Sequence, residues 1–123
     1  MKLLLALLLF AGLAAAQTFH SVTLTWTEPA GGATVTSFNV LRGTTSGGES
    51  ATPIGTVAFV TGQASYTYID QGSATNLLTE GSTYYYEVTA TGPGGTSAPS
   101  PEATALIPFS VPAIPSKPTV LVK

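Results

Sequence analysis

The sequence predicts an all-β fold, a two-layer β-sandwich, and three observations support this prediction. Short runs of alternating apolar and polar residues recur along the chain, as in HSVTLTWT and YYYEVTA, and alternation with period two marks strands that have one buried face. Turns rich in glycine and proline separate these runs. None of the runs has the spacing of an amphipathic helix. Short strands at regular intervals without helices are typical of a β-sandwich.

Two alternating runs predict the first two strands. Residues 20–27 form the first, which ends before Pro29 because proline cannot donate a hydrogen bond to a ladder. Residues 35–42 form the second, and the glycine-rich residues 43–48 after it are expected to be a mobile loop. Neither a lysine nor a helical pattern follows these glycines, so the loop does not predict a phosphate site.

Two shorter strands are predicted next, over residues 54–60 and residues 64–69. In the second of them the alternation leaves open whether the two tyrosines or Ile69 face the core. Residues 70–76 are expected to form a loop before the next strand.

The most strongly alternating run follows a Glu-Gly corner that ends at Gly81, where glycine gives the backbone the freedom for a sharp turn. Residues 84–91 are predicted to form a strand with Tyr84 and Tyr86 on the inner face and Tyr85 exposed on the other. The inward positions of all these runs, together with a leucine before the corner, form the predicted core: Val22, Leu24, Trp26, Phe38, Val40, Leu78, Tyr84, Tyr86 and Val88.

The last predicted strand covers residues 96–107 and is interrupted by Pro99 and Pro101. A central strand would lose ladder hydrogen bonds at both prolines. We therefore expect this strand at the edge of its sheet.

Residues 1–16 have the pattern of a secretory signal. Lys2 supplies the positive charge, residues 3–13 the apolar stretch and residues 14–16 a cleavage site of small residues. The alternative is an uncleaved membrane anchor, but residues 3–16 as a helix span only about 21 Å of a hydrocarbon layer of about 30 Å. We expect cleavage before Gln17 and bacterial-type export to the extracellular space or the cell surface.

The order and spacing of the motifs over residues 17–107 resemble a fibronectin type III domain, an immunoglobulin-like β-sandwich. The spacing of Leu78, Gly81 and Tyr84 is similar to the corner motif of that family, and FNVLRGTTSGG is similar to a segment common in its bacterial members. The resemblance implies that the tryptophan of the first strand lies in the core. It also implies that the corner tyrosine bonds through its hydroxyl to upstream main chain.

Two features depart from that family. Glu80 stands where the corner usually has proline, and only three residues separate the expected cleavage site from the first strand, which leaves no room for the family's strand A. Residues 108–123, here called the tail, contain four prolines and end in the strand-forming run of residues 119–122. The tail resembles the missing strand A, and its candidate strand-donor residues are Val111, Ile114, Val120, Leu121 and Val122.

Composition excludes several classes of partner. Without residues 1–16 the chain has three basic and six acidic side chains, which gives a net charge of −3. Nucleic acid and anionic membrane surfaces need basic patches, so neither is an expected partner, and no membrane span is expected after signal cleavage. The chain has no cysteine, so stability must come from the core without disulfides.

The sequence predicts no catalytic residues, no metal and no cofactor. A Ser-His-acid arrangement would have to use His20, which is expected to be exposed at the start of the first strand. No calcium-loop or zinc-site spacing occurs. The acidic residues are expected to be scattered, solvated charges: Glu28, Glu49, Asp70, Glu80, Glu87 and Glu102.

Two hypotheses for function follow. The first is a secreted, non-enzymatic fibronectin type III-like module that contacts other proteins or surface polysaccharide, as in cell adhesion. The second is a structural subunit that polymerises into an extracellular filament by donating its tail strand to the next subunit. For the tail itself three states stay open: a disordered linker, a cap on its own domain, or a strand donated in trans.

Overall fold

The computed structural model describes residues 19–28 and 31–123. The predicted signal, its cleavage site and Gln17 lie outside the described residues. Within the described ranges no helix is long and apolar enough to cross a membrane. The strands are β1 (Ser21–Thr27), β2 (Ser37–Gly43), β3 (Gly55–Ala58), β4 (Ser65–Gln71), β5 (Thr83–Gly92), β6 (Gly95–Thr96) and β7 (Ala103–Leu106).

All pairings are antiparallel and form two sheets. β1 pairs with β4 in the smaller sheet, where Trp26 lies opposite Tyr66. The larger sheet has the order β3-β2-β5, and both β6 and β7 pair with the far edge of β5. The first five strands are thus at the predicted places along the chain, within a few residues at each end, and the last predicted strand is divided in two.

The two sheets pack face to face, so the fold is sandwich-like. Side chains from β1 and β4 meet side chains from β2 and β5 in one cluster. Of the predicted core residues, five are buried: Phe38, Val40, Leu78, Tyr84 and Tyr86. The other four are partly buried and pack against the cluster: Val22, Leu24, Trp26 and Val88.

The structure answers which residues of β4 face the core. Tyr66 is fully buried and Tyr68 partly buried, whereas Ile69 is half exposed. The tyrosines use their hydroxyls at the rim of the core, where Tyr66 donates to the Val60 carbonyl at 3.1 Å and Tyr68 to the Ile54 carbonyl at 2.8 Å. A tyrosine suits such a position better than an aliphatic side chain does, because its ring packs in the core while its hydroxyl bonds a main-chain carbonyl.

The corner before β5 is held by a tyrosine hydroxyl. The Tyr84 hydroxyl accepts from the Thr79 N–H at 3.0 Å and donates to the Leu77 carbonyl at 3.2 Å, which is the upstream bond that the resemblance implied. Gly81 has a φ of 75°, a conformation that residues with a Cβ rarely adopt. The corner therefore depends on one glycine and one buried hydroxyl.

The predicted last strand is divided into β6 and β7 at its two prolines. Serine hydroxyls replace some of the hydrogen bonds that a continuous strand would make to β5. Ser97 Oγ accepts from the Ala90 N–H at 2.9 Å, and Ser100 Oγ accepts from the Val88 N–H at 3.0 Å. Because β6 and β7 pair with β5 alone, this part of the chain lies at the sheet edge among the described residues.

Asp70 corrects the expectation that every acidic residue is solvated. It belongs to β4 rather than to a loop and is only 2 % exposed. Its carboxylate accepts from Arg42 Nη1 at 2.8 Å and from the Tyr86 hydroxyl at 2.9 Å, and Arg42 Nη2 also donates to the Asn76 side chain. Burial, followed by the bond to Asp70, raises the pKa of Tyr86. Removing one partner of such a buried pair costs about 3–5 kcal/mol.

The corner hydroxyl gives a direct stability test. Tyr84→Phe keeps the ring but leaves the Thr79 N–H and the Leu77 carbonyl without this partner. We expect the free energy of unfolding to fall by about 1–3 kcal/mol, measured by chemical denaturation. Tyr85→Phe is the control, because among the described residues the Tyr85 hydroxyl makes no hydrogen bond to the corner, and an equal loss in both variants would contradict the role of Tyr84.

Candidate functional site

One long edge of β1 has no strand beside it among the described residues. β1 pairs with β4 on its other side, and the ladder continues to the Gly72 N–H, which donates to the His20 carbonyl at 2.9 Å. Hydrogen-bonding residues alternate along an antiparallel strand, so Val22, Leu24 and Trp26 turn their main-chain groups toward β4. The residues with main-chain groups toward the open edge are Ser21, Thr23, Thr25 and Thr27.

A groove, here called the seam, follows this open edge between β1 and residues 97–103. Its upper part has a volume of about 720 Å³ and extends from Trp26 to the turn at residues 92–95. Its lower part, about 210 Å³, lies beside Leu24 and Ala103. Trp26, Val88, Ser100 and Pro101 line both parts, so the two parts adjoin each other between the two sheets.

Trp26 lies at the junction of the two parts of the seam. Its ring packs edge-on against Phe38, with 5.7 Å between centroids, and stacks on Tyr66 at 6.2 Å. Its indole Nε1 is buried and has no hydrogen-bond partner among the described residues, which is uncommon for a buried N–H. The sequence contains one tryptophan, so tryptophan fluorescence reports on this groove alone.

The tail does not cover the seam of its own chain. Residues 108–123 form no strand and are exposed along their length. The self-capped state is therefore not the arrangement in this structure. The candidate strand-donor residues have exposed fractions between 80 and 94 %: Val111, Ile114, Val120, Leu121 and Val122.

The first residues of the tail are attached to the corner before β5. The Gly81 N–H donates to the Ile107 carbonyl at 2.8 Å, and the Ile107 N–H donates to the Ser82 carbonyl at 2.9 Å. The Phe109 ring then lies over Gly81, where an added Cβ would clash with it. The tail consequently leaves the domain from a fixed point.

Glu80 joins the start of the tail to the start of β1. Its carboxylate accepts hydrogen bonds from the Ser110 hydroxyl and, at 3.1 Å, from His20 Nε2. The Ser110 side chain first, and the His20 bond next, lower the pKa of Glu80 to about 2. His20, expected to be exposed, is partly buried by this contact.

The first residues of the tail and the upper seam lie at opposite ends of the domain. β7 runs toward the corner, because Leu106 pairs with Thr83 at the start of β5. β1 starts at the same end, through the contact between His20 and Glu80. The upper seam lies at the other end, beside Thr27 and the turn between β5 and β6.

A second polar cluster anchors the glycine-rich loop of residues 43–48. The Ser46 hydroxyl and the Gly47 N–H donate to the Glu102 carboxylate at 2.9 and 2.7 Å. Burial raises the pKa of Glu49, and the Gly47 N–H is the main cause that lowers the pKa of Glu102. These two acidic residues lie together, so the expectation that they are scattered was wrong. Within the described ranges no group of three or more His, Cys, Asp or Glu side chains is placed to hold a metal ion.

Sequence reasoning predicted the candidate donor but missed one wall of the candidate acceptor. The last strand was predicted over residues 96–107 with an interruption at Pro99 and Pro101, and in the structure residues 97–101, between β6 and β7, line the seam. Pro99 and Pro101 were the available signal, because proline cannot donate to a ladder and therefore marks where the strand is interrupted. The burial of Asp70 had no comparable signal.

Comparison of the chain with family models, with curated proteins and with solved structures finds no match.

The Glu80 contact predicts a pH dependence at the base of the tail. Because the pKa of Glu80 in the folded protein is below its ordinary value of 4.5, the contact stabilises the fold above about pH 4.5 and is lost as the pH falls through about 2. Ser110→Ala removes the largest cause and should raise the pKa of Glu80 toward 4.5, measured by NMR titration of the side-chain carboxyl carbon. Ser116→Ala, in the exposed tail, should leave the titration unchanged. An unchanged Glu80 titration in Ser110→Ala would contradict the contact.

Proposed function

We propose that this protein is a secreted, non-enzymatic structural subunit that polymerises head-to-tail by donating its tail to the next subunit as a β-strand. One observation carries the proposal: among the described residues, an edge of β1 without a paired strand and an exposed, strand-forming segment occur in the same chain. An unpaired edge is a template for a further strand. Main-chain hydrogen bonds then supply affinity, and pockets for alternate side chains supply specificity.

The positions of the two parts favour donation between subunits over closure within one. The tail of the same chain leaves from the corner, which lies beside the first residues of β1. It would therefore meet the open edge at the start of β1 and run parallel to that strand. Antiparallel pairing within the chain would require the tail to pass the length of β1, about 23 Å at 3.3 Å per residue, and then to reverse. Residues 111–118 contain three prolines and favour an extended spacer of about 25 Å, which opposes a reversal.

Donation to a second copy requires no reversal. The tail leaves one subunit at the corner and enters the next at the far end, where the upper seam opens. Donor and acceptor are different surfaces, so a growing assembly of any length retains one free donor and one free acceptor. Contacts of this heterologous type build an open filament unless a ring closes.

The proposal includes the finer fold type, a fibronectin type III-like domain without its own strand A. Two observations support it. The pairing of β1 with β4, and the order β3-β2-β5-β7, fit the two sheets of such a domain when strand A is left out. The bond from the Tyr84 hydroxyl to the main chain of Leu77 fits the corner of that family. In this interpretation the donated tail supplies strand A.

The geometry favours a second copy of the chain over another protein or a surface polysaccharide as the partner. Groove and tail are both apolar, and both belong to one chain. Stacking on a sugar ring takes an exposed aromatic face, and Tyr85, expected to be exposed on the outer face of β5, is partly buried. Export, predicted from residues 1–16, would place the filament outside the cell.

Deleting residues 112–123 should abolish assembly and leave monomers, because the donor is removed while the contacts of Phe109 and Ser110 at the corner remain. Size-exclusion chromatography with light scattering, over a range of concentrations, measures the change. The full chain should form species whose mass rises with concentration. The deleted variant keeps its seam, so a small fraction of it added to the full chain should shorten the filaments by capping one end.

Ser116→Ala serves as the control variant, since it changes the tail without removing an apolar side chain. It should assemble as the full chain does. A full chain that stays monomeric at high concentration, or a deleted variant that assembles equally well, would refute head-to-tail donation.

A further inference from the structure

We infer that residues 119–122 are the donated strand and that they bind in the seam of the next subunit, antiparallel to β1, with Val120 opposite Trp26 and Val122 opposite Leu24. This inference rests on the proposed function. It adds the site, the direction and the register of the contact, each of which has its own structural argument.

The direction follows from where the seam is wide. The upper seam, beside Thr27 and the turn at residues 92–95, has more than three times the volume of the lower part. An incoming tail that enters at this wide end moves down the edge of β1 from Thr27 toward Thr23. That movement is antiparallel to β1, the pairing in which strands are slightly more stable per residue.

The register follows from which main-chain groups are free. Thr23, Thr25 and Thr27 turn their N–H and C=O groups toward the open edge, so a donated residue opposite each of them must supply an N–H of its own. With Leu121 opposite Thr25, the residue opposite Thr27 is Thr119, and both have the required N–H. The residue opposite Thr23 is then Lys123, which has one too.

Pro118 selects between this register and the one shifted by a single residue. In the inferred register Pro118 is opposite Glu28, at a position whose main-chain groups turn away from β1, so the missing N–H costs no ladder bond. After a shift by one residue Pro118 would lie opposite Thr27 and leave its groups unpaired. The shift would also turn Val120 and Val122 to solvent, because side-chain direction alternates along a strand.

The shape of the seam fits the composition of the tail. The lower part, about 210 Å³ beside Leu24 and Trp26, has room for the two valine side chains that face it. The upper part has room for the bulkier proline-rich residues 114–118. A carbonyl of the incoming chain is also the kind of acceptor that the buried Trp26 Nε1 lacks.

Disulfide trapping in the full chain tests the register, since the protein has no cysteine of its own. Thr25→Cys and Leu121→Cys are made in separate chains, expressed with residues 1–16 so that the exported form is tested, then mixed and oxidised. Thr67→Cys is the matched control: Thr67 is an exposed threonine directly opposite Thr25, on the far side from the open edge. The linked dimer should exceed the control by at least about tenfold, because the paired Cα atoms come within about 5.5 Å and the control pair stays about 10 Å apart.

The size of the same samples, measured before oxidation, separates the two proposals. If the samples assemble but the Thr25→Cys chain is not linked more than the control, the inferred site and register are wrong, while head-to-tail assembly itself is not contradicted. Samples that remain monomeric overturn both. A single chain carrying both Thr25→Cys and Leu121→Cys should give a ladder of linked multimers, whereas linked monomers would show that the tail closes on its own domain and would overturn both proposals.

Side-chain direction has a separate test. Val120→Asp and Val122→Asp place a charge in the lower seam and should each weaken assembly at least about tenfold, because an unpaired buried carboxylate is strongly disfavoured. Leu121→Asp, which faces solvent in the inferred register, should assemble as the unchanged chain does. Assembly of the unchanged chain should also shift the fluorescence emission of Trp26 to shorter wavelength, because the donated strand would cover the seam that Trp26 lines. Loss of assembly with Leu121→Asp but not with the two valine variants would overturn the register.

Discussion

The open main-chain edge of β1 is the constraint on which the rest of this structure depends. Main-chain N–H and C=O groups are obligatory hydrogen-bonding groups, and at a sheet edge they bind water or another strand. Here the edge borders a groove that reaches Trp26 and the core. A single strand laid along it would pair the edge and cover the aromatic cluster, and the exposed apolar part of the tail has the composition of such a strand.

The two ends of the domain are built differently, and the difference gives the molecule a direction. The corner end is closed by a buried network in which Asp70 accepts from Arg42 and from Tyr86, and by the Tyr84 hydroxyl on the main chain of Leu77. The opposite end is open, where the seam lies between the end of β1 and residues 97–101. In the proposed filament, a fixed tail at one end and an open groove at the other would permit only one polarity.

Most of the fold could be predicted from the sequence because the information is local. Alternation with period two placed β1, β2, β4 and β5, and two prolines placed the last strand at an edge. The Asp70 network could not be predicted, since a carboxylate at a strand end has the same local pattern whether it is solvated or paired with Arg42 twenty-eight residues away. The tail was identified by composition, but the seam that would receive it is formed between β1 and residues 97–103, and only the assembled sheets show that space.

Hydrogen exchange at the individual amides of β1 tests the central claim most directly. In dilute monomer the amides of Thr23, Thr25 and Thr27 should exchange rapidly, while those of Leu24 and Trp26, bonded to β4, should be protected. In the assembled protein all five should be protected. Equal protection of the three threonine amides in both states would contradict the account, because it would show that their edge is already paired in the monomer or stays unpaired in the assembly.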